Sequence, residues 1–396
     1  MRRRAKIVWG VTGGVVALAL AGVGTLMFLN RPLSPEEFDQ AVEKQLRAAV
    51  DGEPTLSSAL FTIYSAKSDR LHEFAVGTTH ADSDELAQID SRYHSASVGK
   101  TMLATVFGQL VDEGTVSLDD PVSTWLDDAT LAGLFVVDGT DHAAEVTLGQ
   151  LLSHTSGVAD YFEGPVTSGQ PLLAQIAANP DLTFTPTDLL AYSRDRQQPV
   201  GVPGAQFAYS DTGYILLGLA LEQIDQKPYA QILDDRLFTP LGMKDSELMT
   251  EFDASPGILS ITLGGIDLSD RNALSVDWAG GGVVTTMRDL LTFSRALQEG
   301  ELVSEESLAA MTDFAHEIDP GIRYGQGMMQ FRFSELSPLL FSMTDLHGAV
   351  GASGTFALYD PSSENYYIAN FGSLDYAQKA IEQLVEIRLL FDRLQS

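Results

Sequence analysis

The sequence predicts an α+β fold in which one antiparallel sheet joins the two ends of the chain, preceded by a membrane-spanning helix. Two short runs of strand-forming residues, 59–66 and 71–77, lie near the N-terminus. Residues 115–280 are mostly helical segments broken by proline and glycine. Strand-like runs then return close to the C-terminus, at 323–334, 339–347, 355–359 and 365–371.

The first 30 residues are typical of a membrane anchor. Four basic residues among the first six precede residues 7–29, a run of 23 residues without charge. At about 1.5 Å per helical residue, this run can cross a hydrocarbon core of roughly 30 Å. Because basic flanks stay cytoplasmic, we expect residues 1–30 to form a cytoplasmic tail and anchor, and residues 31–396 one extracytoplasmic domain at the cell membrane. The alternative is secretion after signal cleavage, but cleavable signals usually have apolar runs of only about 7–15 residues.

The helices of the domain carry start and stop signals. Ser34 caps the first helix, with Pro35 at its first position and Glu37 at its third, and this helix should run to about residue 50. A strongly apolar helix over residues 97–113 ends at Gly114. An amphipathic helix over residues 376–394 closes the chain.

Charge and composition exclude several kinds of partner and site. The chain has 54 acidic and 24 basic residues, a formal net charge of −30. Nucleic acid repels such a polyanion, so no nucleic-acid partner is expected. The absence of cysteine excludes thiol catalysis, disulfides and cysteine-based zinc sites. The seven histidines lack the spacing of a metal motif.

The sharpest chemical signal is Ser97-Val98-Gly99-Lys100, where a loop turns into the apolar helix. A serine hydroxyl needs a nearby base to become a nucleophile, and at i and i+3 Lys100 returns over the same face as Ser97. The helix N-terminus adds free N–H groups and a positive dipole beside the reacting oxygen. In a partly dry cleft we expect Lys100 to lose its proton near neutral pH and act as the base. The alternative interpretation is a capping serine with a surface lysine.

Five longer segments extend this signal over most of the chain: YHSASVGKT (93–101), LVDEGTVSLDDPVSTWL (110–126), VTLGQLLSHTSG (146–157), PGAQFAYSDTGYILLG (203–218) and GGGVVTTMRDLL (280–291). Together they resemble the penicillin-recognising serine enzymes, in the branch of class C β-lactamases, D-alanyl-D-alanine carboxypeptidases and related esterases. The resemblance implies a two-lobed β-lactamase/transpeptidase-like fold, with a helical lobe and an antiparallel sheet covered by helices.

The resemblance also implies roles for individual residues. Ser97 would be the nucleophile, Lys100 its proton partner and Tyr209 the second base beside it. Two backbone N–H groups, one from Ser97 and one from the strand of the third motif, would hold the acyl oxyanion. No metal or organic cofactor is implied. His154 is expected to be a buried, hydrogen-bonded histidine and neither a ligand nor a base.

The second motif departs from the family pattern at Asp211, where asparagine is more usual. An amide can donate a hydrogen bond to a substrate carbonyl, whereas a carboxylate can only accept one. Asp211 is therefore expected to pair with Lys100 or with a cationic substrate. It could equally cap the helix over residues 212–224, and the two roles are compatible.

The third motif, LHGAVGASGTF over residues 346–356, is the least regular match. The family has a basic residue, any residue, then glycine on a strand, and this motif binds the substrate's carboxylate. In one register His347 is the basic residue and Ala349 replaces the glycine. In the other, which the flanking glycines favour, Ala349 replaces the basic residue, and Gly351 and Ala352 line the substrate site. Residues 347 and 349 point to the same face of the strand, about 6.6–6.8 Å apart, so His347 could still reach the cleft. The alternative is a strand-edge histidine without substrate contact.

These residues predict a serine hydrolase that cleaves an ester or amide of a small-molecule or peptide substrate through an acyl group on Ser97. Candidate substrates are cell-wall peptides, small esters, D-amino-acid amides and β-lactams. β-Lactams rank low, because both departures weaken carboxylate and amide recognition. The rival hypothesis is a non-catalytic binding protein on the same scaffold; the joint presence of Ser97, Lys100 and Tyr209 argues against it.

Overall fold

A computed structural model describes residues 32–250 and 257–394 of the protein. The tail and anchor expected at residues 1–30 lie outside the described residues, so the membrane helix stays a prediction. Within the described part of the chain, no helix is both long and apolar enough to cross a membrane.

The described strands form one eight-stranded antiparallel sheet and three small sheets. In chain order they are β1 (Ser58–Ser65), β2 (Arg70–Gly77), β3 (Tyr93–His94), β4 (Val136–Val137), β5 (Thr140–Asp141), β6 (Glu247–Leu248), β7 (Thr262–Leu263), β8 (Ile266–Asp267), β9 (Val283–Thr285), β10 (His316–Asp319), β11 (Ile322–Tyr324), β12 (Met329–Phe331), β13 (Leu346–Val350), β14 (Phe356–Asp360) and β15 (Asn365–Asn370). The main sheet has the order β10-β11-β12-β13-β14-β15-β1-β2. The N-terminal hairpin thus lies beside the last strand, and the predicted joining of the two chain ends is confirmed.

Short helices are the main regular elements of the segment between the two groups of main-sheet strands, as predicted. In chain order the described α-helices are α1 (Pro35–Gly52), α2 (Gly99–Asp112), α3 (Asp128–Leu131), α4 (Leu148–Leu152), α5 (Leu172–Ala178), α6 (Pro186–Arg196), α7 (Asp211–Asp225), α8 (Tyr229–Leu233), α9 (Thr239–Leu241), α10 (Trp278–Gly281), α11 (Met287–Gln298), α12 (Glu305–Met311), α13 (Phe333–Leu336) and α14 (Ala377–Phe391). The capping box predicted at Ser34 is present at the start of α1.

The two faces of the main sheet bury two separate apolar clusters. One face, which includes Phe61 of β1, packs against α1 and α14 through residues such as Phe38 and Leu384. Leu60, the preceding residue of β1, belongs to the other cluster, which includes α2, α7 and α11. This alternation follows from the two-residue repeat of a strand. The helical lobe therefore meets the sheet on a single face.

The C-terminal strands differ in part from the prediction. The runs at 355–359 and 365–371 correspond to β14 and β15. The strand expected over 339–347 is wrong: Pro338–Leu340 is a 3-10 turn, and β13 begins only at Leu346. Proline has no N–H to donate to a strand ladder, which explains the turn. The run at 323–334 divides into parts of β11, β12 and α13.

A tight turn between β3 and α2 positions Ser97. Ala96–Val98 is a 3-10 turn that leads directly into α2. Ala96 has a left-handed backbone conformation, with φ of 48°, which is costly for a residue with a Cβ. Gly281 packs against this turn so closely that a Cβ there would lie 2.4 Å from the Ala96 carbonyl oxygen. The glycine run near residue 280 therefore allows the backbone contact that holds Ser97 in place.

Candidate active site

Lys100 lies directly beside Ser97, as their spacing predicts. Its ammonium nitrogen Nζ is 3.0 Å from Ser97 Oγ. The same nitrogen donates to the carbonyl oxygen of Gly280 and forms an ion pair with Asp211. An ammonium has three protons to donate, so these acceptors can occupy all of them. The Lys100 side chain is 1% exposed.

These contacts decide the charge of Lys100. Burial alone would lower the pKa of its ammonium, but Asp211 and Tyr209 together raise that pKa well above its ordinary value. Lys100 is therefore a cation at neutral pH. The expectation that it loses its proton there is wrong for this arrangement, because the charge of Asp211 outweighs the cost of burial.

Tyr209 completes a cluster with Ser97 and Lys100. Lys100 Nζ lies 5.3 Å from the centre of the Tyr209 ring, and the phenol hydroxyl hydrogen-bonds to both Ser97 and Lys100. Burial raises the pKa of Tyr209 above its ordinary value, although the Lys100 cation opposes this shift. The phenol is thus protonated at neutral pH and can both accept and donate a proton beside Ser97.

Asp211 is the first residue of α7 and contacts Lys100 from there. Ser210 is the helix cap, since its side chain accepts from the N–H of Gly213 at 3.4 Å. The capping role considered for Asp211 is therefore wrong, and the predicted pairing with Lys100 is what the structure contains. In this position the Asp211 carboxylate accepts a hydrogen bond from a buried cation. The usual asparagine would accept it with a neutral amide oxygen, which binds a cation less strongly.

Two further acids line the cleft, and the sequence analysis missed both. Asp160 accepts the backbone N–H groups of Asp211 and Glu163 at 3.0 and 2.9 Å. Burial, reinforced by Asp211, raises the pKa of Asp160 to about 7. Burial and the two aspartates raise the pKa of Glu163 to about 9. Both acids lie within six residues after the segment 146–157. That proximity to a family-like segment is the one sequence feature that could have predicted their place in the cleft.

His154 is buried and hydrogen-bonded, as predicted. Its Nδ1 accepts the backbone N–H of Ser210 at 3.1 Å, and its Nε2 lies 3.0 Å from the Tyr324 hydroxyl. The ring stacks at 4.1 Å between centroids on Tyr209. His154 therefore fixes the loop that carries Tyr209 and Asp211, and burial lowers its pKa well below the ordinary value, which keeps it neutral.

The third motif approaches Ser97 through backbone alone. A Cβ added to Gly351 would lie 2.8 Å from the carbonyl oxygen of Ser95 and 2.9 Å from the Cβ of Ala96. Only glycine fits such an approach, which agrees with the register that places Ala349-Val350-Gly351 at the motif. The next residue, Ala352, lines the same cavities as Ser97. Its N–H donates no hydrogen bond to any described residue, so this amide and that of Ser97 are available to an oxyanion.

His347 is placed apart from Ser97. Its Nε2 lies 2.9 Å from the Gln298 side-chain oxygen in α11, and its ring contacts Phe314 and Tyr359. It lines a separate small cavity with Val98 and Ala349, behind the turn that carries Ser97. Burial lowers the pKa of His347 to about 4, so it is neutral at pH 7. The substrate-binding role predicted for His347 stays a prediction, and nothing in this placement supports it.

In the described part of the chain, no three His, Asp or Glu side chains converge as a metal site. The residues that line the cleft with Ser97 are carboxylates, a phenol and apolar side chains. Such an arrangement can place a serine oxygen, a proton-transferring phenol and two backbone N–H donors around one carbonyl group.

Several known proteins are similar to the chain in sequence. The chain is 35% identical over 184 residues to penicillin-binding protein 4 of Amycolatopsis lactamdurans, covering 46% of this chain and 42% of that protein. It is 27% identical to the D-alanyl-D-alanine-carboxypeptidase/endopeptidase AmpH of Escherichia coli K12, covering 54% and 51%. The chain thus spans about half the length of these curated relatives.

Solved structures share the fold over more of the chain. A D-stereospecific amidohydrolase from Streptomyces sp. superposes with a TM-score of 0.68 at 26% identity, over 86% of this chain and 97% of that one. The D-amino acid amidase of Ochrobactrum anthropi superposes with a TM-score of 0.73 at 21% identity, over 90% and 98%. The family model named Beta-lactamase matches residues 43–382. The protein therefore belongs to the beta-lactamase family, whose members similar to it are serine hydrolases and penicillin-binding proteins.

Proposed function

We propose that the protein hydrolyses an ester or amide bond through a covalent acyl group on Ser97. The observation that carries this proposal is the direct contact of Ser97 Oγ with Lys100 Nζ, at 3.0 Å, beside the Tyr209 hydroxyl. A purely structural role would not require the buried Lys100 cation to contact Ser97. Nor would it require Gly281 and Gly351 to approach the turn of Ser97 so closely.

The charge states suggest how protons move. Lys100 remains a cation and stabilises negative charge as it develops on Ser97 Oγ. Tyr209 starts as a neutral phenol, so its oxygen accepts the Ser97 proton while its own proton passes to the leaving atom. The bond from Ser97 Oγ to the carbonyl carbon forms, the bond to the leaving group breaks, and the leaving group departs protonated. Water then attacks the acyl group by the same path in reverse.

The site favours substrates without a carboxylate next to the scissile bond. Ala349 stands where the family has its basic residue, and the Lys100 cation is already paired with Asp211, so the described residues that line the cleft offer a substrate carboxylate no free cation. β-Lactams and D-alanyl-D-alanine peptides both carry that carboxylate. Simple esters and amides, including the D-amino-acid amides named for the similar amidase structures, are therefore the favoured substrates.

We also propose that the protein is held at the membrane by residues 1–30, with residues 31–396 outside. The basic residues before the uncharged run 7–29 support this orientation. Protease added to intact cells should then digest the domain and leave the tail protected. A mature N-terminus at or beyond residue 29 would instead establish secretion after signal cleavage.

The decisive test is covalent labelling with a fluorophosphonate, together with hydrolysis of a panel of p-nitrophenyl esters and amino-acid amides. Ser97→Ala should abolish labelling and lower kcat/KM by about 10⁴-fold or more. Ser95→Ala is the matched control, since Ser95 lies two residues earlier in the chain and its hydroxyl hydrogen-bonds to the Ala96 carbonyl instead of to Lys100. Labelling of the Ser97→Ala protein would refute the proposal. A wild-type protein that neither labels nor hydrolyses any substrate would favour the non-catalytic binding protein.

A further inference from the structure

We propose that the acyl part of the substrate carries a compact aliphatic side chain, which occupies an apolar cavity next to Ser97. This inference rests on the proposed function, because it assumes that Ser97 receives the acyl group. It specifies what that group must look like.

The cavity opens at Ser97 and is walled mainly by aliphatic side chains. Three separate segments supply them: α5, the β7–β8 hairpin and the 3-10 turn Asn272–Val276. The principal wall residues are Leu173, Ile176, Ile261, Leu268, Leu274 and Val276. This apolar surface lies open beside a reactive group. Burying an apolar group of the ligand against it is favourable and stabilises the complex.

Its polar end excludes an anionic occupant. Asp211 and Asp277 line the cavity near Ser97, and Lys100 is already neutralised by Asp211. Burial, with a contribution from Asp211, raises the pKa of Asp277 to about 7, which reflects how unfavourable a second negative charge is there. A carboxylate would be a third acid in a space without a free cation among the described lining residues. The occupant is therefore neutral and apolar.

Tyr209 determines which part of the substrate enters this cavity. A second cavity beside Ser97 shares Phe162, Asp211 and Ala352 with the first, but it is polar and includes Tyr209. In the proposed mechanism the phenol delivers its proton to the leaving atom, so the leaving group lies in the cavity of Tyr209. The acyl side chain then points into the other, apolar cavity.

The dimensions limit the occupant to a small group. The cavity volume is about 30 Å³, and about 10–15 Å³ of such volume holds one water molecule. A narrow space of this size suits a branched chain of three or four carbons better than a fused ring system or a long fatty chain.

The test is a series of p-nitrophenyl esters that differ only in the acyl chain: acetate, butyrate, 3-methylbutyrate and decanoate. Each methylene buried should raise kcat/KM about fourfold. We therefore expect the 3-methylbutyrate to exceed the acetate by roughly 50-fold, and the decanoate to fall below the 3-methylbutyrate because the cavity is too short.

Two wall variants and a control locate the effect. Leu274→Ala enlarges the cavity and should move the optimum to a longer chain, whereas Ala273→Leu fills it and should remove the advantage of 3-methylbutyrate over acetate. Leu384→Ala is the control: it removes the same atoms from the buried core on the other side of the sheet and should leave the chain-length profile unchanged.

The outcomes separate the two proposals. Hydrolysis with a flat profile, or with acetate as the best substrate, would overturn this inference while supporting the acyl-serine mechanism. A profile altered by Leu384→Ala as much as by Leu274→Ala would also overturn it. Absence of hydrolysis together with absence of fluorophosphonate labelling would overturn the proposed function itself.

Discussion

The two walls of the cleft that meet at Ser97 are built on different principles. The helical wall is rich in ionisable groups: Lys100 pairs with Asp211, and Asp160 and Glu163 line the cleft beside them. The strand wall, formed by residues 349–352, contributes no charged side chain and approaches Ser97 through the backbone of Gly351. One wall carries the groups that the proposed mechanism uses for proton transfer; the other has no cation among residues 349–352 that could pair with an anionic substrate.

This difference indicates that reactivity and selectivity reside on separate elements of the same cleft. The helical wall holds its groups through buried contacts between distant segments, so each substitution there should affect the rate on every substrate. The strand wall should affect which substrate is preferred. The following predictions test that separation, from the largest expected effect to the smallest.

Tyr209→Phe should lower kcat/KM by about 10²–10⁴ on all substrates, because it removes the group that passes the proton from Ser97 to the leaving atom. Steady-state kinetics on one ester and one amide measure this effect. Tyr214→Phe is the matched control: its ring lies 5.4 Å from Lys100 Nζ, but its hydroxyl donates to the carbonyl oxygen of Leu152. Equal losses from both variants would contradict a role for Tyr209 in proton transfer.

Asp211→Asn should move the alkaline limb of kcat/KM to lower pH. Asp211 makes the largest contribution to the raised pKa of Lys100; without its charge, burial outweighs more of the remaining contribution from Tyr209 and that pKa falls. Because the proposed mechanism needs the cation, activity should fall about tenfold for each pH unit beyond the new limb. A pH–rate profile measures the shift. Activity that instead increases at alkaline pH would indicate that neutral Lys100 is the working form.

Ala349→Lys should improve the relative use of substrates with a carboxylate, by about tenfold if the ammonium reaches past the cavity that Ala349 shares with His347 and pairs with that group at about 1.4 kcal/mol. Matched esters with and without a carboxylate measure the ratio of kcat/KM values. Ala349 is 4% exposed, so overpacking is a cost, and thermal unfolding must show that the variant is folded. A strong preference of the wild type for carboxylates would refute the register on which this prediction depends.

His347→Ala should change that ratio by less than about twofold, since the histidine contacts Gln298 in α11 and lies in a different cavity from Ser97. Loss of the buried hydrogen bond should lower the free energy of unfolding by about 1–3 kcal/mol. Chemical denaturation and the same matched esters separate the two effects. A specific loss of activity on the carboxylate substrate would place His347 in the site after all.

Local sequence patterns predicted those features that depend on neighbours in the chain. The i, i+3 spacing of Ser97 and Lys100 predicted their contact, and the glycines around residue 351 predicted the register of the close approach to the turn. The capping and proline signals at Ser34 and Pro35 predicted the start of α1. Each of these signals acts within one helical turn or one strand.

The features that sequence patterns missed depend on contacts between distant segments. The charge of Lys100 follows from Asp211 and Tyr209, which are 111 and 109 residues further along the chain. The side of the sheet to which His347 turns is set by its packing on α11. Asp160 and Glu163 acquire their raised pKa values because the fold buries them, with a smaller contribution from Asp211. No periodicity or spacing within a segment carries that information.

The pairing of β1 with β15 has a consequence for how the protein is made. Ser65 pairs with Asn365, 300 residues later. At roughly 5–20 residues per second, the ribosome needs about 15–60 s to produce the missing partner of β1. Until then β1 can pair only with β2, and a lone hairpin is marginally stable in water. A nascent chain arrested before residue 365 should therefore be cleaved by protease within its N-terminal strands. During the same interval of about 15–60 s, a factor that binds extended apolar segments could bind β1.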